Sequence, residues 1–293
     1  MPSRRLPRRF FAFLFIALFL WPAVCPAKTS LWQVRAGSHV LYLLGSLHVL
    51  QERSYPLPVL MEEVYQASST LVFETDLDAM NSPAMQHKIL SYGTLPAGQR
   101  LSQVIAPATR ELVQRRIIAL GIRSAEIERL RPWLAALTLT VRELERQGFA
   151  ARYGLDSHFF QRAKRDGKKI VPLESADFQL SLFYSQSRRE QEDFLRQSLQ
   201  DLLQAEKQAG ELERAWRNGD EAALAAMITT SFAGYPGQFK RLVLDRNRNW
   251  LPVLEKLMRE EEATLVVVGV GHLVGEGSLV ALLRDKGYVA AQR

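Results

Sequence analysis

Residues 264–274 read TLVVVGVGHLV, and residues 41–48 read LYLLGSLH. The first stretch opens with a continuous apolar run, which is typical of a strand buried on both faces of a parallel sheet. In both stretches the apolar run leads into Gly-x-x-His, so His48 and His272 come just beyond the ends of two predicted strands. The repeat predicts that two halves of the chain contribute equivalent corners of one site.

Strands and helices alternate along the rest of the chain, which predicts an α/β fold with helices around a central mixed β-sheet. Pro172 favours an edge or a strand end for the strand that contains it. The long helical segments, roughly 100–150 and 188–258, are expected to cap a cleft at the strand ends. No Pro/Ser-rich linker divides residues 28–293, so we expect one domain there. The predicted strands are 31–35, 39–44, 70–73, 169–173, 264–268 and 288–291, and the predicted helical segments are 57–67, 101–148, 156–165, 188–258 and 278–286.

The first 27 residues have the three parts of a secretory signal peptide. Four arginines within residues 4–9 precede the apolar run FFAFLFIALFL at 10–20, and small residues lead to a cleavage point after Ala27. We therefore expect an exported protein, located in the periplasm of a bacterium, with no stable membrane span after cleavage. An uncleaved N-terminal membrane anchor is the alternative. A helix needs about 20 apolar residues to span a bilayer, and the apolar run at 10–20 is shorter than that. The choice between the general and the twin-arginine export route stays open.

The basic charge of the full chain comes mainly from this segment. The 293 residues carry 38 Lys and Arg against 31 Asp and Glu, a formal net charge of +7. Removal of residues 1–27 takes away four arginines and no acids, which lowers the net charge to +3. The remaining basic stretches are short and accompany no nucleic-acid-binding motif, so we expect no nucleic-acid partner. The single cysteine, Cys25, excludes an intramolecular disulfide and multi-cysteine metal sites.

Four ionisable side chains come at or just beyond the ends of predicted strands: His48, Glu74, Glu174 and His272. In open α/β sheets, ligands bind in the crevice outside the carboxyl ends of the strands. Two imidazoles and one or two carboxylates at that edge are suitable ligands for Zn²⁺, Mn²⁺ or another divalent ion. The sequence has no H-E-x-x-H motif, so a metallopeptidase of the common zincin type is excluded.

These positions also have purely structural interpretations. A histidine after a strand commonly caps or hydrogen-bonds local backbone, and Glu74 could begin a solvated acidic loop. Asp156 stands where a helix N-cap belongs, and capping alone would explain it. Arg246 and Asn247 could lie on the surface of a charged helix.

Several segments of the chain, taken in order, match the motifs of one family. They are LYLLGSLHVL at 41–50, LVFETDL at 71–77, RYGLDSHFFQRAKRDGKKIVPLESADFQL at 152–180, RNRNW at 246–250 and VVVGVGHLVGEGSLVALLRDKGYVA at 266–290. On these motifs the chain resembles the TraB/GumN family, which includes the Tiki proteases. The resemblance covers nearly all of the chain beyond residue 27. The first motif departs from the family pattern at Ser46, where threonine is usual.

The resemblance implies an α/β fold akin to the erythromycin esterases and the haem-binding ChaN-type proteins. In the Tiki branch it implies metal-dependent peptide hydrolysis at a site that contains the two histidines and the acidic residue. Those positions are His48, His272 and Glu74 in this sequence. Other members of the family are regarded as binding or inhibiting a peptide pheromone.

We therefore expect an exported hydrolase that depends on a divalent metal ion, Mn²⁺, Co²⁺ or Zn²⁺, and cleaves a peptide, another amide or an ester. His48, Glu74 and His272 would bind the metal, which would activate water and polarise the carbonyl. Glu174 or Asp156 would act as general base or support the metal ligands, and Arg246 would stabilise developing oxyanion charge.

Two alternatives stay open. One is a metal-independent, esterase-like hydrolase with a histidine base, and the other is a protein that sequesters a peptide or small ligand without turnover. The sequence leaves the substrate, the identity of the metal and the oligomeric state undetermined.

Overall fold

The structure, a computed structural model, describes residues 28–37, 39–203, 205–259 and 263–293. The predicted signal peptide at 1–27 lies outside these residues. The strands that are described form one six-stranded sheet. They are β1 (Leu31–Ala36), β2 (His39–Ser46), β3 (Thr70–Phe73), β4 (Lys169–Pro172), β5 (Thr264–Gly269) and β6 (Val289–Gln292).

The sheet has the order β4-β3-β5-β2-β1-β6 and is mixed, as predicted. The first four of these strands run parallel to one another, whereas β1 is antiparallel to both β2 and β6. All residues of β5 are buried, as the apolar run predicts for a central strand. Pro172 is the last residue of the edge strand β4, which confirms the interpretation of that proline.

The register of the parallel strands brings their carboxyl ends to one level. Ser46 at the end of β2 pairs with Gly269 at the end of β5, and Phe73 at the end of β3 pairs with Val267. The residues that follow these strands therefore leave the sheet at the same edge. The two Gly-x-x-His segments are neighbours there, as the repeat predicts.

Helices fill most of the chain between the strands. Between β2 and β3 lies α1 (Val59–Ala67). Between β3 and β4 lie α2 (Leu77–Asn81), α3 (Pro83–Gly93), α4 (Leu101–Val104), α5 (Pro107–Leu120), α6 (Ser124–Glu128), α7 (Pro132–Arg146) and α8 (Leu155–Arg165). Between β4 and β5 lie α9 (Ala176–Tyr184), α10 (Arg188–Asp201), α11 (Ala205–Arg217), α12 (Glu221–Phe232), α13 (Pro236–Phe239), a π-helical turn (Lys240–Leu244) and α14 (Asp245–Leu257). Short 3-10 turns at Glu52–Ser54, Ala151–Tyr153 and Val270–His272, together with α15 (Leu279–Asp285), complete the elements.

The local sequence explains where several helices begin and end. Gly121 ends α5 at φ 64°, a left-handed conformation that glycine adopts without steric cost. Pro132 begins α7, where its missing N–H has no helical partner to lose. Both are breaks that the sequence predicts. The sequence analysis did not predict α2, α3 and α9.

The segments predicted as a cap have a hydrophobic core of their own. The largest core surrounds the sheet, whereas a second cluster joins helices of the 100–150 segment to α10. Leu139 of α7 and Leu195 of α10 are completely buried in that second cluster. None of the helices in the described ranges is long and apolar enough to cross a membrane.

Candidate functional site

The structure brings the three predicted metal ligands together at the carboxyl edge of the parallel strands. Oε1 of Glu74 lies 3.9 Å from Nε2 of His48 and 3.8 Å from Nε2 of His272. The same Oε1 accepts a hydrogen bond of 2.8 Å from the backbone N–H of Gly269. Glu74 and His272 are buried, whereas the side chain of His48 is 64% exposed. His48 is therefore the most accessible member of the set.

Asp156 anchors the ring of His48. Its Oδ2 lies 2.8 Å from Nδ1 of His48 and accepts a 2.5 Å hydrogen bond from the hydroxyl of Ser46. Gly154, rather than Asp156, is the N-cap of α8, so the capping interpretation of Asp156 is wrong. A carboxylate at Nδ1 holds the proton on that nitrogen and leaves Nε2 to bind another group.

A close backbone approach places Asp156 beside His48. The N–H of Leu155 donates to the carbonyl of Leu47 at 3.1 Å, which docks the start of α8 onto the end of β2. A Cβ on Gly154 would lie only 2.1 Å from the carbonyl oxygen of His48, so only glycine fits at this point. In the Gly-x-Asp sequence, Gly154 thus lets the start of α8 lie against the backbone of His48, and Asp156 contacts the ring of His48 from there.

Arg246, predicted as a site residue, lies at the centre of the buried charges, so the alternative interpretation of a helix-surface position is wrong. It is 6% exposed, and its guanidinium uses all five N–H donors. Nη2 donates to Glu74 at 2.5 Å and to Glu174 at 2.7 Å, and Nε donates to Glu174 at 3.1 Å. Nη1 donates to the carbonyl of Leu242 at 3.0 Å and lies 3.1 Å from Nε2 of His272.

Asn247 fixes the ring of His272. The amide of Asn247 donates to the carbonyl of Gly277 at 2.9 Å, so its oxygen faces Nδ1 of His272 at 2.6 Å. Nδ1 therefore carries the proton, and Nε2 accepts from Arg246. Asn247 is completely buried, which contradicts its expected place on a helix surface.

Glu174 supports Arg246. Its carboxylate, 6% exposed, accepts from Arg246 and also from the indole N–H of Trp250 at 3.0 Å. Burial raises the pKa of Glu174, and the charge and hydrogen bonds of Arg246 oppose that rise. Because both of its oxygens have protein donors, Glu174 is placed to orient Arg246.

The two histidines differ in charge because their surroundings differ. The negative charge of Asp156 raises the pKa of His48 to about 9. Burial lowers the pKa of His272 to about 3, which keeps that ring neutral. For Glu74, burial acts to raise the pKa, but Arg246 and the two histidines outweigh it and hold the pKa well below its usual range. The site thus holds a charged carboxylate between an accessible cationic ring and a buried neutral ring.

A cavity of about 490 Å³ opens beside these residues. Its polar lining includes His48, Glu74, Asp156 and Arg246, together with Gln179 of α9, whose amide donates to Oε2 of Glu74 at 3.3 Å. Most of its remaining lining is apolar and comes from α2, α3, α7, α9 and the π-helical turn. The predicted cap segments thus contribute to a cleft at the strand ends, as expected, and the helices that were not predicted contribute as well.

Two of the three predicted metal ligands, His48 and Glu74, face each other at a distance that one ion could bridge. Nε2 of His48 and Oε1 of Glu74 are 3.9 Å apart. One ion could bind both atoms, because two metal–ligand bonds of about 2.0–2.2 Å can span that distance. A Cβ on Gly269 would lie 3.3 Å and 3.2 Å from those two atoms, so the absence of a side chain leaves space beside them.

His272 does not complete the set in this arrangement, because Arg246 lies on its Nε2. Within the described ranges, no group of three His, Cys, Asp or Glu side chains is arranged to hold a metal ion. His48 and Glu74 are the two predicted ligands whose facing atoms, Nε2 and Oε1, have no arginine between them. His272 can join them only when Arg246 releases its ring nitrogen.

Sequence reasoning missed three residues of the site. Ser46, Gln179 and Asn247 each bond a predicted residue, to Asp156, Glu74 and His272 respectively. Ser46 lies inside the first Gly-x-x-His motif, and Asn247 follows Arg246 directly, so adjacency to predicted residues was the available signal. Gln179 follows Glu174 by five residues within the family motif at 152–180, and that motif was its available signal.

Fold and site together define an α/β protein with a histidine–carboxylate–arginine site at the carboxyl edge of parallel strands. The chain belongs to the TraB/PrgY/gumN family, whose model matches residues 30–292. It is similar to the uncharacterized protein YbaP of Escherichia coli (strain K12) and of Shigella flexneri, with 23% identity over 91% of this chain and 93% of each relative. An uncharacterized protein of Treponema pallidum (strain Nichols) is 22% identical over 87% of this chain and 80% of its own. No solved structure matches significantly.

Proposed function

We propose that this protein is an exported, metal-dependent hydrolase that cleaves an amide or ester bond. One observation carries the proposal: the ring of His48 is anchored by Asp156 and has its Nε2 within 3.9 Å of Glu74, beside a ligand-sized cavity. A ring anchored at one nitrogen by a carboxylate and open at the other is the usual arrangement of a metal-binding histidine.

The balance of charge supports a cation at this place. Glu74, Asp156 and Glu174 formally contribute three negative charges, and Arg246 contributes one positive charge. A proton on His48 offsets one of the two remaining charges, whereas a divalent ion offsets both. A divalent ion held by His48 and Glu74 would supply Lewis acidity, which polarises a carbonyl group and activates water.

The surrounding residues would hold the reacting groups in place. Asp156 keeps the proton of His48 on Nδ1, and Glu174 keeps Arg246 against Glu74. The predicted oxyanion role of Arg246 requires one of its five hydrogen bonds to be exchanged for a bond to substrate. The bonds to the neutral ring of His272 and to the carbonyl of Leu242 are the easiest to exchange, because the bonds to carboxylates are charge-assisted on both sides. Exchange of the bond to His272 would also release Nε2 of that ring.

The test is metal analysis of the purified mature protein, residues 28–293, together with a screen of peptides and esters in the presence of Mn²⁺, Co²⁺ or Zn²⁺. We expect the wild type to retain or bind a divalent ion and to hydrolyse at least one substrate. His48→Ala and Glu74→Gln should lose both properties. His87→Ala, which changes an exposed histidine away from the site, is the matched control and should keep both.

Three outcomes would contradict the proposal, each for either its metal dependence or its hydrolytic activity. Turnover that survives exhaustive chelation would favour the metal-independent hydrolase with a histidine base. Binding of peptides without turnover would favour a sequestering protein. If the wild type binds no divalent ion in solution, the proposed role of the metal is wrong.

A further inference from the structure

The cavity beside the site is polar at one end and apolar over most of its surface. We call the apolar part the apolar chamber, and define it by Met80, Ile89, Leu134, Leu137, Phe183 and Leu242. These side chains come from five different elements between β3 and β5. All the ionisable side chains that line the cavity, His48, Glu74, Asp156 and Arg246, belong to the polar end.

We infer that the substrate carries a large apolar group next to its amide or ester carbonyl, and that this group occupies the apolar chamber. The inference rests on the proposed function, because it places the carbonyl at the polar end. A charged group in the chamber would lose its water without gaining a partner of opposite charge, because the ionisable side chains of the described lining all belong to the polar end. An apolar group gains free energy there by leaving water.

The volume of the cavity indicates the size of that group. At about 490 Å³ the cavity is within the range of small-molecule sites, which runs from about 300 to 1,000 Å³. The substrate class is therefore a peptide with bulky apolar residues beside the cleaved bond, or an acyl ester or amide with a medium-length chain. The two sources share one chemistry, an apolar group on a carbonyl compound, and assays can separate them.

The first experiment compares substrates. Internally quenched peptides with Leu and Phe, Ser and Gly, Glu, or Lys around a common centre form one arm, and p-nitrophenyl acetate and octanoate form the other. In at least one arm we expect a preference of at least about tenfold in kcat/KM. In the peptide arm the Leu/Phe peptide should exceed the polar and charged peptides, and in the ester arm octanoate should exceed acetate. The arm in which the preference is found identifies the source.

The second experiment alters the chamber. Leu137→Trp fills it and should lower kcat/KM for the apolar substrates by at least about tenfold. Val141→Trp is the matched control, because Val141 lies one turn further along α7, is 51% exposed and does not line the cavity. It should leave kcat/KM unchanged. Met80→Lys adds a positive charge to the chamber and should raise kcat/KM for the Glu peptide relative to the Leu/Phe peptide.

Binding measured by calorimetry separates the two proposals. If apolar peptides bind to the wild type but not to Leu137→Trp, and no substrate turns over, the apolar chamber stands and the hydrolase proposal falls. If turnover is found but is equal for apolar and charged substrates, or is insensitive to both chamber variants while these remain folded, the hydrolase stands and the apolar chamber is overturned.

Discussion

At the scale of single residues, Arg246 determines how the buried part of the site is arranged. Its five donors join Glu74, Glu174, His272 and the backbone of Leu242 into one network. A guanidinium can do this because its donors form a rigid planar fork, which lysine lacks. The network orders the site, but it also occupies the ring nitrogen that His272 would give to a metal ion.

Arg246→Met should destabilise the protein by about 3–5 kcal/mol, because it leaves two buried carboxylates without their cation. The free energy of unfolding, measured by urea denaturation, checks this. Arg248→Met is the control on the same helix; the side chain of Arg248 is 61% exposed and forms only a surface ion pair with Asp245. That change should stay within about 0.5 kcal/mol. Equal stability of the two variants would contradict the central position of Arg246.

The two histidines should titrate far apart. In the metal-free protein, NMR should give a pKa of about 9 for His48 and about 3 for His272. Asp156→Asn should lower the pKa of His48, because the charge of Asp156 is the largest cause of its rise. A value for His48 near 6.5 in the wild type would contradict the contact with Asp156.

Cation binding should depend on pH with a definite sign. Below its pKa, His48 is protonated, so a divalent ion must displace that proton in order to bind Nε2. Affinity should therefore rise with increasing pH and level off near pH 9. Affinity that is independent of pH between 6 and 9 would show that His48 is not a ligand.

At the scale of elements, the site depends on how α8 docks against the end of β2. The docking needs Gly154, because a side chain there would collide with the backbone of His48. Gly154→Ala should shift the start of α8, lower the pKa of His48 by weakening its contact with Asp156, and destabilise the fold by about 1–3 kcal/mol. NMR titration and urea denaturation measure the two effects.

Gly210→Ala provides the opposite control. Gly210 lies inside α11, and a Cβ there meets nothing within 4 Å. Alanine should stabilise that helix by about 0.5–1 kcal/mol, because it restricts the unfolded chain and favours helix. If Gly154→Ala behaves like Gly210→Ala, the close approach is not essential to the site.

The elements also show which parts could be predicted from sequence. The strands are predictable because short, continuous apolar runs such as 264–268 are typical of strands buried on both faces of a parallel sheet. Because the carboxyl ends of parallel strands meet at one edge of the sheet, the residues that follow them, His48, Glu74 and His272, are then expected to lie together. The family motif at 246–250 indicates Arg246 as a site residue, but the burial of Arg246 and Asn247 does not follow from the local sequence, which is charged and resembles a solvated helix. Their partners are also distant: Glu174 is 72 residues from Arg246, and no local pattern encodes such a pair.

At the scale of the whole molecule, the carboxyl edge of the sheet gathers the candidate site residues, and helices between β3 and β5 line the apolar chamber. Helices of the 100–150 segment and α10 share a hydrophobic core that is separate from the core around the sheet.

Export is a property of the whole chain and can be tested on it. If residues 1–27 are a signal peptide, the protein recovered from the periplasm should begin at Lys28, as mass spectrometry of the intact protein would show. The mature protein should then bind weakly to cation exchangers for its size, since its net charge falls from +7 to +3. Recovery of the full-length chain with the membrane fraction would support the uncleaved anchor.

The most direct test of the central claim is a calorimetric titration of Mn²⁺ or Zn²⁺ into the mature protein and two alanine variants. In Gly269→Ala, the new methyl carbon would lie 3.3 Å from Nε2 of His48 and 3.2 Å from Oε1 of Glu74, where it would crowd an ion held by both atoms, whereas in Gly271→Ala it would meet only the flexible end of Ile228 at 3.3 Å. The account predicts that the wild type and Gly271→Ala bind the ion with the same affinity and that Gly269→Ala, still folded, does not bind it. Binding to Gly269→Ala as tight as to the wild type would contradict a cation between His48 and Glu74.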